Sequence, residues 1–200
     1  MRGAGNIPVY MGRWQPWHSG HHYVATALLA QYGCLTIGIV NPDTGNPTEK
    51  YERFHPKVNP FTYWQRVRMI ERAFARDVAI PGPLSEIVLV PIWGMATSFK
   101  REQVFLPPPD ARIWVISHVR EDSVDKIDIL RRMGVQFQVI RDVPTSLAMI
   151  EASIIRDLIA RGSDEWKSMV PVGTAEVLQE QGARQAISDA AESTWPSYLE

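Results

Sequence analysis

Three of the five histidines lie in one short segment near the amino terminus, between residues 12 and 22, together with Gly12 and Gly20. His18 and His21 are three positions apart, so both imidazoles face the same side if a helix begins there. Two imidazoles directed at one phosphate would donate hydrogen bonds to the oxygens that gain charge during group transfer, and such donors commonly make the largest catalytic contribution. Gly20 has no Cβ and would let a phosphate approach the backbone closely. This pattern predicts phosphate chemistry.

The same histidines allow two other interpretations. His18, His21 and His22 would suit a metal site, but no Asp, Glu or Cys stands nearby at ligand spacing. They would also suit the surface of a loop held by structural tryptophans. The segment from Gly12 to His21 follows a predicted strand and opens a predicted helix. That position favours an anion site, because a helix start presents unpaired N–H groups and the positive end of the helix dipole.

The elements that would position this segment alternate along the chain. Short apolar runs predict buried strands at Ile7–Met11, Leu35–Val40, Ile87–Ile92, Ile113–Ser117 and Val135–Ile140. Apolar residues at helical spacing predict helices at Ser19–Gln31, Phe61–Arg76, Asp122–Met133, Ile150–Ala160 and Val172–Gln181. This alternation predicts an α/β fold with a doubly wound, five-stranded parallel sheet flanked by helices. Ligands of such sheets bind at the carboxyl ends of the strands.

Length and composition are those of a single soluble domain. The chain has 200 residues, of which 45% are hydrophobic and 22% charged, and we expect a core at about 7–162 with a helical tail at about 163–200. A net charge of −1 argues against a nucleic acid as partner. The single Cys34 indicates a buried small side chain in a reducing cytoplasm. Neither a secretory h-region nor a membrane-spanning run is present, and the possibility of a homo-oligomer stays open.

The first motif also carries a family resemblance. The sequence GRWQPWHSGH, from Gly12 to His21, resembles the GRFQPFHxGH signature of the nicotinamide mononucleotide (NMN) adenylyltransferases, in the HxGH nucleotidyltransferase superfamily. Asn59–Ile70 resembles the NPFT…ER…MI segment of that family, and Ile150–Arg156 resembles its ISxTxIR motif in degenerate form. The similarity runs from about residue 8 to 181. It implies a Rossmann-like fold and transfer of a nucleoside monophosphate with release of pyrophosphate.

The resemblance implies roles for the matching residues. The catalytic set would be His18, His21 and Arg156. The nucleotide-binding set would be Gly12, Arg13, Trp14, Gln15, Gly20 and Ser153. The acceptor-binding set would be Trp17, Asn59, Arg66, Ser117 and His118. Mg²⁺ would be bound through the triphosphate and keep several waters, so no protein metal ligand is expected.

Two departures from the family pattern concern the substrates. Glu151 stands where the family usually has serine, which places an acid beside the triphosphate unless the side chain turns away or meets a cation. Ser117-His118-Val119 matches the family's SGN-type acceptor segment only faintly. The nucleotide half of the site is therefore kept, whereas the acceptor half is altered.

Two substrate pairs remain open. The family default is ATP plus NMN, and the pyridine ring of NMN would stack on a tryptophan from the set Trp14, Trp17, Trp64 and Trp93. A related branch uses CTP and a phosphonate such as phosphonoformate, which would need cations, and these are available at Lys100, Arg112 and Arg120. The partners are thus an NTP, either ATP or CTP, and a small phosphorylated or phosphonate acceptor.

Two other protein classes share parts of the pattern. A fragment of a class I aminoacyl-tRNA synthetase would carry the HxGH feature together with a KMSKS-like loop and a basic surface, and the sequence has neither. A nucleotide-binding regulator without catalysis is expected to lose one of His18, His21 or Arg156, and all three are present. The regulator is kept as the non-enzyme alternative.

Overall fold

The computed structural model describes residues 6–42, 55–78, 86–92, 104–117, 121–180 and 182–192. The strands are β1 (Ile7–Gly12), β2 (Leu35–Val40), β3 (Ile87–Ile92), β4 (Arg112–Ser117) and β5 (Phe137–Ile140). The helices are α1 (Ser19–Tyr32), α2 (Tyr63–Arg76), α3 (Glu121–Arg132), α4 (Thr145–Ala148), α5 (Ala152–Arg161), α6 (Val172–Glu180) and α7 (Ala183–Glu192), with 3₁₀ turns at Pro56–Val58 and Glu165–Met169. No helix in the described ranges combines the length and apolar character needed to cross a bilayer.

The five strands form one parallel sheet, as predicted, and their order is β3-β2-β1-β4-β5. Its central strand, β1, pairs with β2 on one side and with β4 on the other, so the strand order reverses there. A reversal of this kind opens a crevice outside the carboxyl ends of the strands. Gly12, Val40 and Ser117 end their strands at this edge.

Helices cover both faces of the sheet, because strand residues alternate between the two faces. On one face Tyr10 and Ile37 pack in a large cluster that takes in α1, α2, α5 and α6. On the other face Val9 and Trp114 belong to a smaller cluster with Leu130 of α3. Apolar contact on both sides explains why β2, with the sequence LTIGIV, is buried along nearly its whole length.

Two helices, α2 and α5, begin at a later residue than predicted, because the capping residue sets where a helix starts. The second helix begins at Tyr63 rather than Phe61, because Thr62 accepts a hydrogen bond from the Gln65 N–H while the Gln65 side chain bonds back to the Thr62 N–H. The fifth helix begins at Ala152, since Glu151 is still extended. Helix α4 was not predicted, since a single turn leaves no periodic signal.

Three smaller expectations can be compared with the structure. Cys34 is only partly buried, because it precedes β2 at the surface end of the turn after α1. The described part of the tail, up to residue 192, contains α6, which packs against α2, and α7, which packs against α5. Most of the long loop predicted at Asn41–Pro60, and of the connection between Trp93 and Asp110, lies outside the described residues.

Candidate active site

The two histidines of the first motif lie against each other where α1 begins. Their ring centroids are 3.4 Å apart and the rings are inclined by 28°, which confirms the predicted juxtaposition. The backbone N–H of His18 donates to Nδ1 of His21 at 3.3 Å. Because Nδ1 accepts this bond, the proton of the neutral His21 ring is on Nε2. The backbone therefore selects which nitrogen of His21 acts as donor.

Gly12 and Gly20 are both required by close packing around the motif. A Cβ at Gly12 would lie 2.5 Å from the Trp14 ring. A Cβ at Gly20 would lie 2.6 Å from the carbonyl oxygen of Leu147 in α4 and 3.2 Å from the His18 ring. Gly20 thus lets α1 approach α4, whereas the sequence suggested that its role was to admit a phosphate.

Trp14 and Trp17 form a buried floor beneath the histidines. Trp17 has no exposed surface and Trp14 is 3% exposed. Trp14 packs edge-on against Trp17 at 4.9 Å and against His21 at 4.6 Å, and its Nε1–H donates to the Gly38 carbonyl at 2.9 Å. The geometry gives no support to side-chain contacts of Trp14 with the nucleotide or of Trp17 with the acceptor, because the core encloses both indoles.

Gln15 connects the motif to two other segments of the site. Its carboxamide pairs with the backbone of Phe61 in both directions, each bond measuring 2.9 Å. Its carbonyl oxygen accepts a 2.6 Å bond from Nη1 of Arg156. Since the Gln15 side chain is 3% exposed and fully engaged, it positions these segments rather than offering an amide to a nucleotide.

Asn59 also lies inside the protein. Its side chain has no exposed surface, and Nδ2 donates to the carbonyl oxygen of His55 at 3.1 Å. The residue ends the 3₁₀ turn that precedes α2, in agreement with the predicted turn. Its side chain therefore shapes the turn, and contact with an acceptor would require that the turn open.

Arg66 is fully buried and binds backbone oxygens from three segments of the site. Its guanidinium donates to the carbonyls of Arg13 at 2.9 Å, Val40 at 2.7 Å, Asn41 at 2.6 Å, Pro42 at 3.4 Å and Thr62 at 3.2 Å. Burial lowers the pKa of Arg66 to about 10, so the group stays charged at neutral pH. The guanidinium faces inward, so this geometry gives no support to a direct acceptor contact, which stays a prediction.

Arg156 and Arg13 bring two positive charges to the motif loop. Burial and the charge of Arg13 lower the pKa of Arg156 to about 10. Arg13 is exposed, whereas Arg156 is half-buried and held by the carbonyl of Gln15. An anion bound between the two guanidinium groups would relieve their repulsion, which is the electrostatic pattern of a phosphate site.

Ser153 and Glu151 interact at the start of α5. The Ser153 hydroxyl is exposed and donates to Oε2 of Glu151 at 3.2 Å. Glu151 is the N-cap residue of this helix. The hydroxyl that was predicted to bind phosphate is therefore engaged by the acid that departs from the family pattern.

Ser117 ends β4 at the carboxyl edge of the sheet, where its hydroxyl accepts a 3.0 Å bond from the Tyr10 hydroxyl. Burial raises the pKa of Tyr10, so the phenol remains a donor. Arg112 is at the other end of β4 and pairs with Ile7 at the amino edge. The expectation that Arg112 serves a phosphonate acceptor is wrong, because Arg112 is five residue steps from Ser117 along the strand, or roughly 17 Å.

Five candidates from the sequence remain: Trp64 and four residues outside the described ranges. Trp64 is 71% exposed on the first turn of α2, where its role as a stacking surface stays a prediction. The remaining candidates lie outside the described residues, namely Trp93, Lys100, His118 and Arg120.

One residue of the site was not anticipated from the sequence. Asn41 directly follows β2 and adopts a left-handed backbone, with φ of 54°. Its side chain is 4% exposed, and Nδ2 has no hydrogen-bond partner within the described part of the chain. The sequence signal was an asparagine between a strand and Pro42, since asparagine tolerates this conformation better than most residues.

Comparison with curated proteins identifies the family. The chain is 32% identical over 186 residues to a phosphonoformate cytidylyltransferase of Streptomyces viridochromogenes, an alignment that covers 90% of this chain and 94% of the relative. It is 30% identical over 175 residues to a nicotinamide-nucleotide adenylyltransferase of Methanospirillum hungatei, with 86% of each chain covered. The chain belongs to the nucleotidyltransferase family of these two proteins. No protein-family model matches this nucleotidyltransferase.

Solved structures of related proteins show the same fold. A bifunctional NMN adenylyltransferase/ADP ribose pyrophosphatase from Francisella tularensis, complexed with AMP and a manganese ion, superposes with a TM-score of 0.61 at 21% identity. The superposition covers 93% of this chain and 52% of the Francisella tularensis chain. A Plasmodium falciparum nicotinic acid mononucleotide adenylyltransferase gives a TM-score of 0.61 at 13% identity, with 90% and 98% of the two chains covered.

The family places the chain among enzymes, as adenylyl- or cytidylyltransferases. In this nucleotidyltransferase the histidine pair, the two arginines and the carboxyl ends of β1, β2 and β4 meet at one edge of the sheet. The described residues contain no group of three or more His, Cys, Asp or Glu side chains that could hold a metal ion.

Proposed function

We propose that the enzyme catalyses in-line transfer of a nucleoside monophosphate from an NTP to an oxygen of a small phosphonate or phosphate acceptor. The observation that carries this proposal is the stacked pair of His18 and His21 at the start of α1. Both rings lie next to a helix N-terminus, which favours anions. The reaction would take place in the cytoplasm.

The proposed chemistry requires no covalent enzyme intermediate. An acceptor oxygen attacks the α-phosphorus and forms a new P–O bond, while the bond to the bridging oxygen of the β-phosphate breaks and its electron pair leaves with pyrophosphate. Positioning and charge stabilisation then supply the rate enhancement. His21 would donate from Nε2 to an α-phosphate oxygen, since Nδ1 is held by the His18 backbone.

Arg13 and Arg156 would hold the β- and γ-phosphates that leave as pyrophosphate. Their mutual repulsion, together with the burial of Arg156, makes an anion the natural occupant of the space between them. Mg²⁺ would arrive bound to the triphosphate, as part of the substrate, and neutralise charge on the leaving group.

For the substrates we propose CTP and a phosphonate that also carries a carboxylate. Support comes from the 32% identity to a phosphonoformate cytidylyltransferase over 90% of the chain. The burial of Trp14 and Trp17 is a second argument, because neither indole offers an open face for a pyridine ring. ATP with NMN is the second candidate, favoured by the 30% identity to a nicotinamide-nucleotide adenylyltransferase.

Pyrophosphate release should be measured for ATP and CTP, each with NMN, phosphonoformate and phosphonoacetate. We expect the highest kcat/KM for CTP with a phosphonate, and a cytidylyl product with a new P–O–P linkage in phosphorus NMR. The His18→Ala variant, purified in parallel, controls for contaminating enzymes. Turnover confined to ATP and NMN would select the second candidate. Absence of turnover with every pair would overturn the proposed reaction and favour a nucleotide-binding regulator.

A further inference from the structure

Asn41 combines two features that cost free energy in the unliganded protein. Its buried Nδ2 lacks a partner within the described ranges, and leaving such a donor unsatisfied costs about 1–3 kcal/mol. Its left-handed backbone, with φ of 54°, is a second cost, which is smaller for asparagine than for most other residues. Residues that keep such costs are concentrated at functional sites.

The backbone of Asn41 is held from both sides. Its N–H donates to the carbonyl oxygen of Ile92 at 2.8 Å, which continues the pairing of β2 with β3. Its carbonyl oxygen accepts a 2.6 Å bond from Arg66. These two bonds fix the backbone of this left-handed residue before any substrate binds.

Arg66 also places Asn41 beside the motif loop. The same guanidinium group donates to the carbonyl oxygens of Asn41 at 2.6 Å and of Arg13 at 2.9 Å. Arg13 lies on the loop that leads to His18, between the carboxyl end of β1 and the start of α1. Asn41 is therefore buried at the carboxyl end of β2, next to the loop that carries the motif.

The geometry of in-line transfer determines which of the two substrates is nearer to Asn41. Attacking and leaving groups lie on opposite sides of the α-phosphorus. Arg156, assigned to the leaving pyrophosphate, belongs to α5, which the chain enters from β5, on the β4 side of β1, through α4, and α4 packs against Gly20 at the start of α1. Asn41 ends β2, on the other side of β1. The attacking acceptor is then the substrate nearer to Asn41.

We propose that the Asn41 carboxamide binds the acceptor substrate, with Nδ2 donating a hydrogen bond to an oxygen of its phosphonate, phosphate or carboxylate group. This proposal rests on the proposed function and assigns a residue that selects the acceptor. An amide N–H₂ group suits an anionic oxygen because it donates without adding charge. Binding of the acceptor gives a partner to the Nδ2 donor that the free protein leaves unpaired. The difference in free energy between the bound and the free donor is what gives Asn41 its effect on affinity.

Two substitutions separate acceptor binding from a structural role. Asn41→Gly keeps both backbone bonds, suits the positive φ and removes the unpaired donor. Asn41→Asp keeps the shape but replaces the donor by a negative charge. We expect Asn41→Gly to raise the KM for the acceptor about tenfold, which corresponds to about 1.4 kcal/mol, and Asn41→Asp to raise it further. The KM for the NTP should stay within about twofold, and the Tm of Asn41→Gly should equal or exceed that of the wild type.

Asn6→Gly is the matched control, because Asn6 is exposed and precedes β1 at the opposite edge of the sheet. It should leave both KM values unchanged. A lower Tm for Asn41→Gly together with parallel increases in both KM values would identify a purely structural residue and overturn the proposal. An unchanged KM for the acceptor in both Asn41 variants would also overturn it.

Binding measured by calorimetry keeps this test independent of turnover. If the wild type releases no pyrophosphate with any substrate pair, the proposed function fails, and titration with phosphonoformate and NMN in the absence of NTP still tests Asn41. Weaker binding to Asn41→Gly than to the wild type and to Asn6→Gly supports the assignment. Equal binding, or binding of neither probe to the wild type, refutes it.

Discussion

One backbone contact determines which ring nitrogen of His21 carries the proton. Because the His18 N–H occupies Nδ1, the neutral ring keeps its proton on Nε2, and the stacking of the two rings at 3.4 Å restricts their rotation. Trp14 packs edge-on against the same ring from below. A donor oriented in advance needs no reorganisation when charge develops on a phosphate oxygen, which is the condition under which such donors accelerate reactions most.

Loss of either histidine should therefore reduce the chemical step. We expect His18→Ala and His21→Ala each to lower kcat by about 10² or more, because each change removes a donor to the α-phosphate. The measurement is steady-state pyrophosphate release, with Tm recorded to verify folding. Turnover like that of the wild type in both variants would remove the pair from the reaction.

Glu151 should weaken nucleotide binding in the present sequence. It places a carboxylate at the start of α5 and engages the Ser153 hydroxyl. We expect Glu151→Gln to lower the KM for the NTP about twofold to fivefold, and more so at low ionic strength, because it removes repulsion of up to about 1 kcal/mol. Glu192→Gln, exposed at the end of α7, is the control. A higher KM in Glu151→Gln would instead show that the carboxylate binds a cation.

At the scale of elements, α2 organises the site through a residue on its inner face. Arg66 gathers carbonyl oxygens from the loop after β1, the end of β2 and the start of α2 itself. Three segments that are distant in sequence are thereby held by one side chain. The outer face of α2 packs against α6, where Thr174 donates to the Met69 carbonyl.

Arg66→Lys should lower both stability and kcat. Lysine keeps the charge but cannot reach the separate carbonyl oxygens, so we expect a loss of about 2–4 kcal/mol and roughly 5–10 °C in Tm. The kcat should fall about tenfold, which would be measured alongside thermal unfolding. Arg68→Lys is the control on the same helix, since Arg68 forms an exposed pair with Glu180 at 3.0 Å. Equal effects of the two substitutions would contradict the role given to Arg66.

The contact between α1 and the end of α2 should make stability depend on pH. Nε2 of His22 lies 2.8 Å from Asp77, and Nδ1 accepts a bond from the Trp17 indole at 3.4 Å. Burial lowers the pKa of His22 below 6.5 and outweighs the nearby carboxylate, so the ring is neutral in the fold. As pH falls below 6.5, the unfolded chain binds a proton before the folded one does, and the free energy of unfolding decreases.

Thermal unfolding between neutral pH and about pH 5 tests this. The Tm of the wild type should fall with decreasing pH, and His22→Gln should show a shallower fall because it lacks the titrating ring. A slope unchanged in His22→Gln would show that other groups cause the pH dependence.

At the scale of the whole molecule, the parallel sheet determines which residues can share a ligand. Gly12, Val40 and Ser117 all lie at its carboxyl edge, whereas Arg112 lies at the amino edge. The position of Arg112 before the predicted strand Ile113–Ser117 already carried this information, because every strand of a parallel sheet begins at the same edge.

Nucleotide binding to this edge should stabilise the whole protein. MgCTP at about 100 times its Kd should add about 2.7 kcal/mol, or roughly 5–10 °C in Tm. Arg156→Met should lose most of this shift because it removes a phosphate contact, while His18→Ala should keep most of it if the ring acts mainly in the transition state. An equal shift in wild type and Arg156→Met would contradict the phosphate role of Arg156.

The sequence by itself determined the parallel α/β architecture and the meeting of His18 with His21, because period and spacing are local properties of the chain. Only the tertiary structure decided that Arg66 and Gln15 face inward, that Gly20 accommodates α4 and that Asn41 retains a buried donor. An arginine or an amide can equally bind a ligand or a backbone carbonyl. Which of the two it binds depends on segments that are distant in sequence and adjacent only after folding.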